Sequence, residues 1–301
     1  MTRQTRRQLA TGLLFISPWI VGFLALTLYP AGASAYYSLT TYNVVAAPHW
    51  AGLANYRRLF TADPNFPLSL ENTAYIAFIG VPLRLLLGLV TAILLNQRAL
   101  KGKGVYRTVY FLPTLMPVVA STILFLWILN PQYGIIDILL GTAHLPQPGW
   151  FADPNWSKPS VILLSLWGVG TTTVIYLAGL QGINPEVYEA ADIDGAGGLQ
   201  KMLRITVPLI SPVTLFNLVI GLIGSFQVFA QVYIASGGTN GGTAGSPEGS
   251  LLLYALYLYA NAFEYLQMGY ASAMAWILFV IILALTLLIM RSSRLWAHYE
   301  S

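Results

Sequence analysis

A chain of 301 residues with 56% hydrophobic and 9% charged residues is not an ordinary soluble domain, in which about a quarter of residues carry charge. Its formal net charge of +4 is scattered over segment ends and forms no stripe, which argues against a nucleic-acid partner. Without cysteine it has no disulfide framework, no thiolate nucleophile and no thiolate metal site.

Arg3, Arg6 and Arg7 precede an apolar run near 12–37. The run is too long for the apolar part of a signal peptide. Pro18 and Pro30 interrupt it without a convincing cleavage site, so it reads as a retained span. Five more segments reach the roughly 20 residues that cross a bilayer. They lie near 73–95, 107–129, 160–181, 208–235 and 267–290. The expected fold is an all-α integral membrane protein of six transmembrane helices. It has an N-terminal tail over 1–11, a membrane domain over 12–290 and a C-terminal tail over 291–301. The apolar stretch 251–263 would reach only about 20 Å as a helix. With Tyr254, Tyr257 and Tyr259 it suits a surface helix at the membrane interface. The loops at 38–72, 130–159 and 236–266 are too small for separate domains.

An even number of spans puts both termini on one side. That side holds Arg3, Arg6, Arg7, Arg98, Lys101, Lys103, Arg107, Lys201, Arg204, Arg291 and Arg294. The other holds only Arg57, Arg58 and Lys158. By the positive-inside rule both termini and the loop 182–207 are expected in the cytosol.

Arg84 falls near the middle of the second span, where a lone charge costs a few kcal/mol or more unless it meets water or a partner. An interior ion pair or bonds to backbone carbonyls are favoured over an anion-attracting site. In the fourth span, core packing is favoured for Trp167 and Thr171–Thr173 over a substrate role. The fifth span carries Asn217, Ser225, Gln227 and Gln231, with Gln227 and Gln231 on one helical face. Two readings stand level. One is the polar wall of a translocation path, with Phe226 and Tyr233 as stacking surfaces. The other is hydrogen bonding between spans, helped by close approach at Gly221 and Gly224. No phosphate-binding loop accompanies Gly102-Lys103, and His49, His144 and His298 have no metal-ligand spacing. With no Ser–His pair or paired Asp inside the spans, no enzyme activity and no bound cofactor are expected of this chain.

The loop between the fourth and fifth spans holds a short polar helix pattern. Asn184 can N-cap it, Pro185 suits its first position, and Glu186 and Glu189 sit near the positive end of its dipole. Val187, Ala190, Ala191 and Asp194 recur at helical spacing, and Gly195 can take a positive φ and end the helix. Leu199, Met202, Leu203 and Thr206 mark a second amphipathic stretch. Glu186, Glu189, Asp192 and Asp194 against Lys201 and Arg204 leave a net −2, which suits a protein groove better than anionic lipid.

Glu189-Ala190-Ala191, then Asp194-Gly195-Ala196, Gln200, Ile205 and Pro208 resemble the "EAA" loop of inner-membrane permeases of binding-protein-dependent ABC importers. Further runs resemble the same family: Gly52-Leu53-Ala54-Asn55-Tyr56, Asn72-Thr73, Arg107-Thr108 with Phe111-Leu112-Pro113, Asn130-Pro131-Gln132-Tyr133-Gly134 and Gly269-Tyr270-Ala271-Ser272-Ala273. The similarity covers nearly the whole chain and is strongest to the sugar-importer branch of maltose- or glycerol-3-phosphate type. Asn184-Pro185 departs from the usual Ile-Pro, and the Gly- and Ser-rich stretch Gly237–Gly249 is longer than the family's compact turn. The resemblance implies a permease subunit of an ATP-driven importer in a bacterial or archaeal inner membrane. It implies a heterodimer with a second permease, two ATPase subunits that bind ATP and Mg, and an extracytoplasmic solute-binding protein. It also implies ATPase coupling through the 186–196 helix, with Glu189, Ala190, Ala191, Asp194, Gly195 and Ala196 at the contact. An ion-coupled secondary transporter is the alternative; it would leave the acidic helix unexplained.

Overall fold

The structure is a computed structural model that describes residues 3–97, 100–237 and 245–297. Arg98, His298 and positions 238–244 of the Gly- and Ser-rich stretch lie outside the described residues.

Helices dominate. In chain order, α1 (Arg3–Phe23) passes through a π turn at Leu24–Leu28 into α2 (Tyr29–Ser38). A minimal antiparallel pair, β1 (Thr40–Thr41) and β2 (His49–Trp50), leads to α3 (Ala54–Thr61). Next, α4 (Asn65–Tyr75), a π turn at Ile76–Gly80 and α5 (Val81–Asn96) form one long helix. Then come α6 (Lys103–Phe111), α7 (Val118–Ile128), α8 (Ile135–Thr142), α9 (Pro154–Trp167) and α10 (Gly170–Gly182). The connecting loop holds α11 (Pro185–Ile193) and α12 (Gly198–Lys201), and a π turn at Met202–Thr206 joins α12 to α13 (Val207–Leu209). The chain closes with α14 (Ser211–Phe226), α15 (Ala230–Ala235), α16 (Tyr254–Tyr259) and α17 (Met268–Ser293). The first helix begins within the tail expected over 1–11, and the last runs past 290 to Ser293.

Each of the six expected spans has a helical counterpart. Thr11–Ser38, Asn65–Asn96 and Met268–Ser293 are continuous. The other three are bent pairs rather than the straight helices expected. Lys103–Leu115 and Val118–Ile128 meet at 98°, Pro154–Trp167 and Gly170–Gly182 at 49°, and Gly198–Leu209 and Ser211–Phe226 at 62°. The sharpest bend sits at Met116-Pro117. A residue before proline is driven to extended backbone, and Met116 has ψ 134°. At the second bend α9 stops at Gly168, and at the third Pro212 withholds an N–H at the start of α14.

Proline also accounts for three of the π turns. Pro30, Pro82 and Pro208 each stand four residues after the middle of one, at Leu26, Phe78 and Arg204. A proline ring clashes with the carbonyl four residues back. A widened turn moves that carbonyl aside, so the helix bends little and continues.

The described residues fall into two compact units, Met1–Asp63 with Leu258–Ile277 and Pro64–Tyr257 with Leu278–Ser301. In the smaller unit, the Gly52–Tyr56 motif folds back on the end of the first span. Buried Asn55 donates to the carbonyls of Ser38 and Thr40, both at 2.9 Å, and the Tyr56 hydroxyl donates to Ser38 Oγ. A Cβ on Gly269 would lie 2.1 Å from Thr40 O, so only glycine lets the start of α17 pack here. Next to it, the Tyr270 hydroxyl donates to Asp63, and the Arg58 guanidinium lies over its ring.

The larger unit has two apolar clusters. Ile76, Leu129, Phe151, Val161, Ile162, Val232 and Leu256 form part of one; Ala92, Leu95, Tyr176, Leu177, Leu180 and Ile210 form the other. Asn72-Thr73 fastens the segment before α16. Asn72, 1% exposed, donates to the carbonyls of Gly249 (2.9 Å) and Leu252 (3.2 Å) and accepts from Lys158 Nζ (3.0 Å). Thr73 Oγ1 accepts the Tyr254 backbone N–H at 2.8 Å. The reading of 251–263 as a surface helix is therefore corrected. Leu251–Tyr257 is buried throughout except Ala255, which is half-buried, and Tyr254 packs edge-on against Phe66. Tyr254 and Tyr257 fill the core because Asn72 and Thr73 satisfy the backbone around them.

Candidate translocation cleft and docking helix

A cleft of about 380 Å³ opens among the helices of the larger unit. One wall is a stripe of α14, where Asn217, Gly221, Gly224 and Ser225 recur at helical spacing. The facing walls bring Arg84 from α5, Trp167 from the end of α9, and Thr171 and Thr172 from α10. Gly221 supports the close approach expected of it, since a Cβ there would sit 3.0 Å from Val81 Cγ1. Gly224 meets nothing within 4 Å and serves no such contact.

Arg84 uses the bend between α9 and α10. Helix ends leave carbonyls without an intrahelical partner, and Arg84 Nη2 donates to Gly168 O at 3.2 Å. Its partner is thus a backbone carbonyl rather than a carboxylate. Arg84 Nε and Asn217 Nδ2 are buried without a hydrogen-bond partner among the described residues. Asn217 is only 6% exposed, and both residues line the cleft.

The shared face expected for Gln227 and Gln231 does not form. α14 ends at Phe226, Gln227 caps it with φ −107°, and Phe229 (φ −131°, ψ −62°) leaves helical geometry before α15 begins. The break separates the two amides: Gln231 lines the cleft, and Gln227 is exposed away from it. Phe226 is buried, and Tyr233 packs on Phe229 with ring centroids 5.4 Å apart, beside the first apolar cluster. Neither aromatic lines the cleft. Of the five residues expected on the path, Ser225 and Gln231 reach it. Trp167, Thr171 and Thr172, assigned to core packing, reach it too, and Thr173 instead shares a 2.8 Å hydroxyl contact with Thr91.

The loop helix forms as its local chemistry dictates. Asn184 Oδ1 accepts the Glu186 N–H at 3.1 Å, with Pro185 opening α11. At the other end Gly195 has φ +71°. Its N–H bonds Asp192 O at 3.1 Å, and Ala196 N–H bonds Ala191 O at 2.9 Å. These two bonds make a Schellman ending. Two contacts missed in the sequence hold α11 in place. The Tyr188 hydroxyl meets Thr206 Oγ1 at 3.0 Å, and Lys201 pairs with Asp192 at 2.5 Å. Both join residues of the second amphipathic stretch to the first helix, a pairing that spacing along the chain does not announce. Ala190 and Ala191 do not share a free surface: Ala191, 8% exposed, faces the chain, whereas Glu186, Glu189 and Ala190 are exposed and Ile193 is 88% exposed.

Residues 84–297 match the profile of a family described as the inner membrane component of binding-protein-dependent transport systems. The chain is 41% identical to the probable ABC transporter permease protein YesP of Bacillus subtilis, over 100% of this chain and 96% of that one. It is 32% identical to the lactose transport system permease protein LacF of Rhizobium radiobacter, over 92% of each chain. It is 31% identical to the arabinooligosaccharides transport system permease protein AraP of Bacillus subtilis, over 93% of this chain and 87% of that one. Its fold matches a chain of a bacterial ABC transporter involved in import of the acidic polysaccharide alginate. The TM-score is 0.82 at 24% identity, over 97% of this chain and 99% of that one.

Proposed function

Because the chain belongs to the family of inner membrane components of binding-protein-dependent transport systems, we propose that it is the permease subunit through which a sugar or oligosaccharide crosses the inner membrane. The observation that carries the reading is a cleft among membrane helices walled by hydroxyls and amides: Thr171, Thr172, Ser225, Asn217 and Gln231, with the indole of Trp167. Such groups exchange hydrogen bonds with sugar hydroxyls, and an indole face suits a sugar ring. Relatives named for lactose and for arabinooligosaccharide transport support a carbohydrate substrate.

In this reading the chain forms half of the path, beside a second permease. Both termini, including the tails 1–11 and 291–301, and the loop 182–207 face the cytosol. There α11 docks on one of two ATPase subunits, which bind ATP and Mg; an extracytoplasmic solute-binding protein delivers the sugar. ATP-driven closure of the ATPases biases one of two packings of the bundle. The ion-coupled alternative has nothing in its favour, since Arg84 is the one ionisable group lining the cleft among the described residues.

In proteoliposomes holding the complete complex and its binding protein, sugar uptake is expected to require ATP inside. Gln231→Ala lowers that uptake several-fold, in line with one lost hydrogen bond of about 0.5–1.5 kcal/mol, and Gln227→Ala leaves it unchanged. Uptake driven by an ion gradient without ATP would sink the reading.

Orientation has its own test. The chain lacks cysteine, Val45 in the 38–72 loop is 84% exposed, and Ala190 is exposed. In intact cells an impermeant thiol reagent is expected to label Val45→Cys and to spare Ala190→Cys until the membrane is opened. The reverse pattern would invert the topology.

A further inference from the structure

Among the described residues the charge in the cleft has no counter-charge: Arg84 is the sole ionisable one lining it, and no carboxylate stands opposite. A guanidinium offers five donors, and the described residues give Arg84 one partner, the Gly168 carbonyl at 3.2 Å. Asn217, more than nine-tenths buried, also lines the cleft with Nδ2 unpartnered. Burying a cation and an amide donor without partners opposes folding, and a path for neutral sugars has no use for the uncompensated charge. An anionic group entering the cleft would satisfy both, through charge-assisted hydrogen bonds that a neutral hydroxyl matches only weakly.

Resting on the transport reading above, we propose that the sugar is acidic: an oligosaccharide of uronic-acid type, whose carboxylate is held by Arg84 and Asn217 while Thr171, Ser225 and Gln231 meet its hydroxyls. One guanidinium carries a single positive charge, which balances the one carboxylate held beside it but not the nearly double charge that a phosphate concentrates on one group. Its planar fork also matches a planar carboxylate. Trp167, at the rim of the same cleft, offers a ring face to the sugar.

The test uses the permease complex with its ATPases in nanodiscs, without the binding protein, so that only the cleft selects. The probes are digalacturonate and its dimethyl ester, which keeps the skeleton and removes the charge. The wild-type complex is expected to bind the acid about ten-fold or more tightly than the ester. Arg84→Gln removes the preference, and Arg84→Lys keeps part of it. Asn217→Asp, which supplies Arg84 with a counter-charge in the cleft, abolishes it even if the arginine variants fail to assemble. Equal binding of acid and ester by the wild type would overturn the proposal. So would a preference that survives both Arg84→Gln and Asn217→Asp, binding of neither probe, or tighter binding of galactose 6-phosphate. ATP-dependent uptake of a neutral sugar alongside any of these results would leave the transport reading standing and remove only the acidic substrate.

Discussion

Gly195→Val is expected to uncouple the transporter while the chain still inserts in the membrane. Gly195 sits at φ +71°, where a β-branched residue costs about 1–2 kcal/mol or more in backbone strain. A Cβ there meets no neighbour within 4 Å, so the damage comes from the turn rather than from a clash. Relieving the strain breaks the two hydrogen bonds that end α11 and redirects the chain towards Gly198. ATPase co-purification, or sugar-stimulated ATP hydrolysis, should fall about ten-fold. Ala190→Trp should do the same by another route. Ala190 is exposed on its own chain, so the added ring disturbs no internal packing and meets only the docking partner. Ala191→Trp differs: Ala191 is buried, so the ring is expected to dislodge α11 itself. Normal co-purification and hydrolysis in both Gly195→Val and Ala190→Trp would remove the coupling role of this helix.

The largest loss of stability is expected from Asn72→Leu. Three hydrogen bonds converge on this one side chain, and removing it strands the Leu252 carbonyl and takes the acceptor from the Lys158 ammonium, while the Gly249 carbonyl keeps the Leu252 N–H. Polar groups left unpaired in a buried place cost about 1–3 kcal/mol each, so a loss of about 3–5 kcal/mol follows even with partial access to water. The purified complex should melt several degrees lower. Asn72→Asp, nearly the same shape, keeps the acceptor for Lys158 but loses both donors, and should fall between. An unchanged melting temperature for Asn72→Leu would show that the 245–254 segment is held by its apolar contacts alone.

The six helical places were legible because a bilayer demands long apolar runs, and little else in a sequence imitates them. The loop helix α11 was legible almost to the residue, since Asn184, Pro185 and Gly195 fix its ends through local chemistry. The cleft was not. Nothing in Gln227-Val228-Phe229 resembles a helix breaker, yet α14 stops there, and the amides expected side by side part company. For Arg84 the sequence left an ion pair and backbone carbonyls side by side; that it would meet a carbonyl, and Gly168's, depended on a bend in another span. Two of the motifs carrying the family resemblance outside the loop turned out to be fasteners. Asn55 and Asn72 tie loops to helix ends across 17 and 177 residues of chain, distances that no local pattern encodes.

The π turn at Ile76–Gly80 also settles the azimuth of the long helix it interrupts. Residues 69, 72, 73, 76, 77, 80, 81, 88, 91, 92 and 95 are all buried, a seam running from the Asn72 fastener past Arg84. At about 100° per residue, an unbroken α-helix from Ser69 to Leu95 would have precessed by roughly 80°, and the seam would wind off one side. One surplus residue in a wide turn absorbs about that angle. Pro82 thus acts as a phase setter: by holding the turn open it keeps Asn72 and Arg84 on one meridian, so that a single helix grips the segment before α16 at one end and presents a guanidinium to the cleft at its middle.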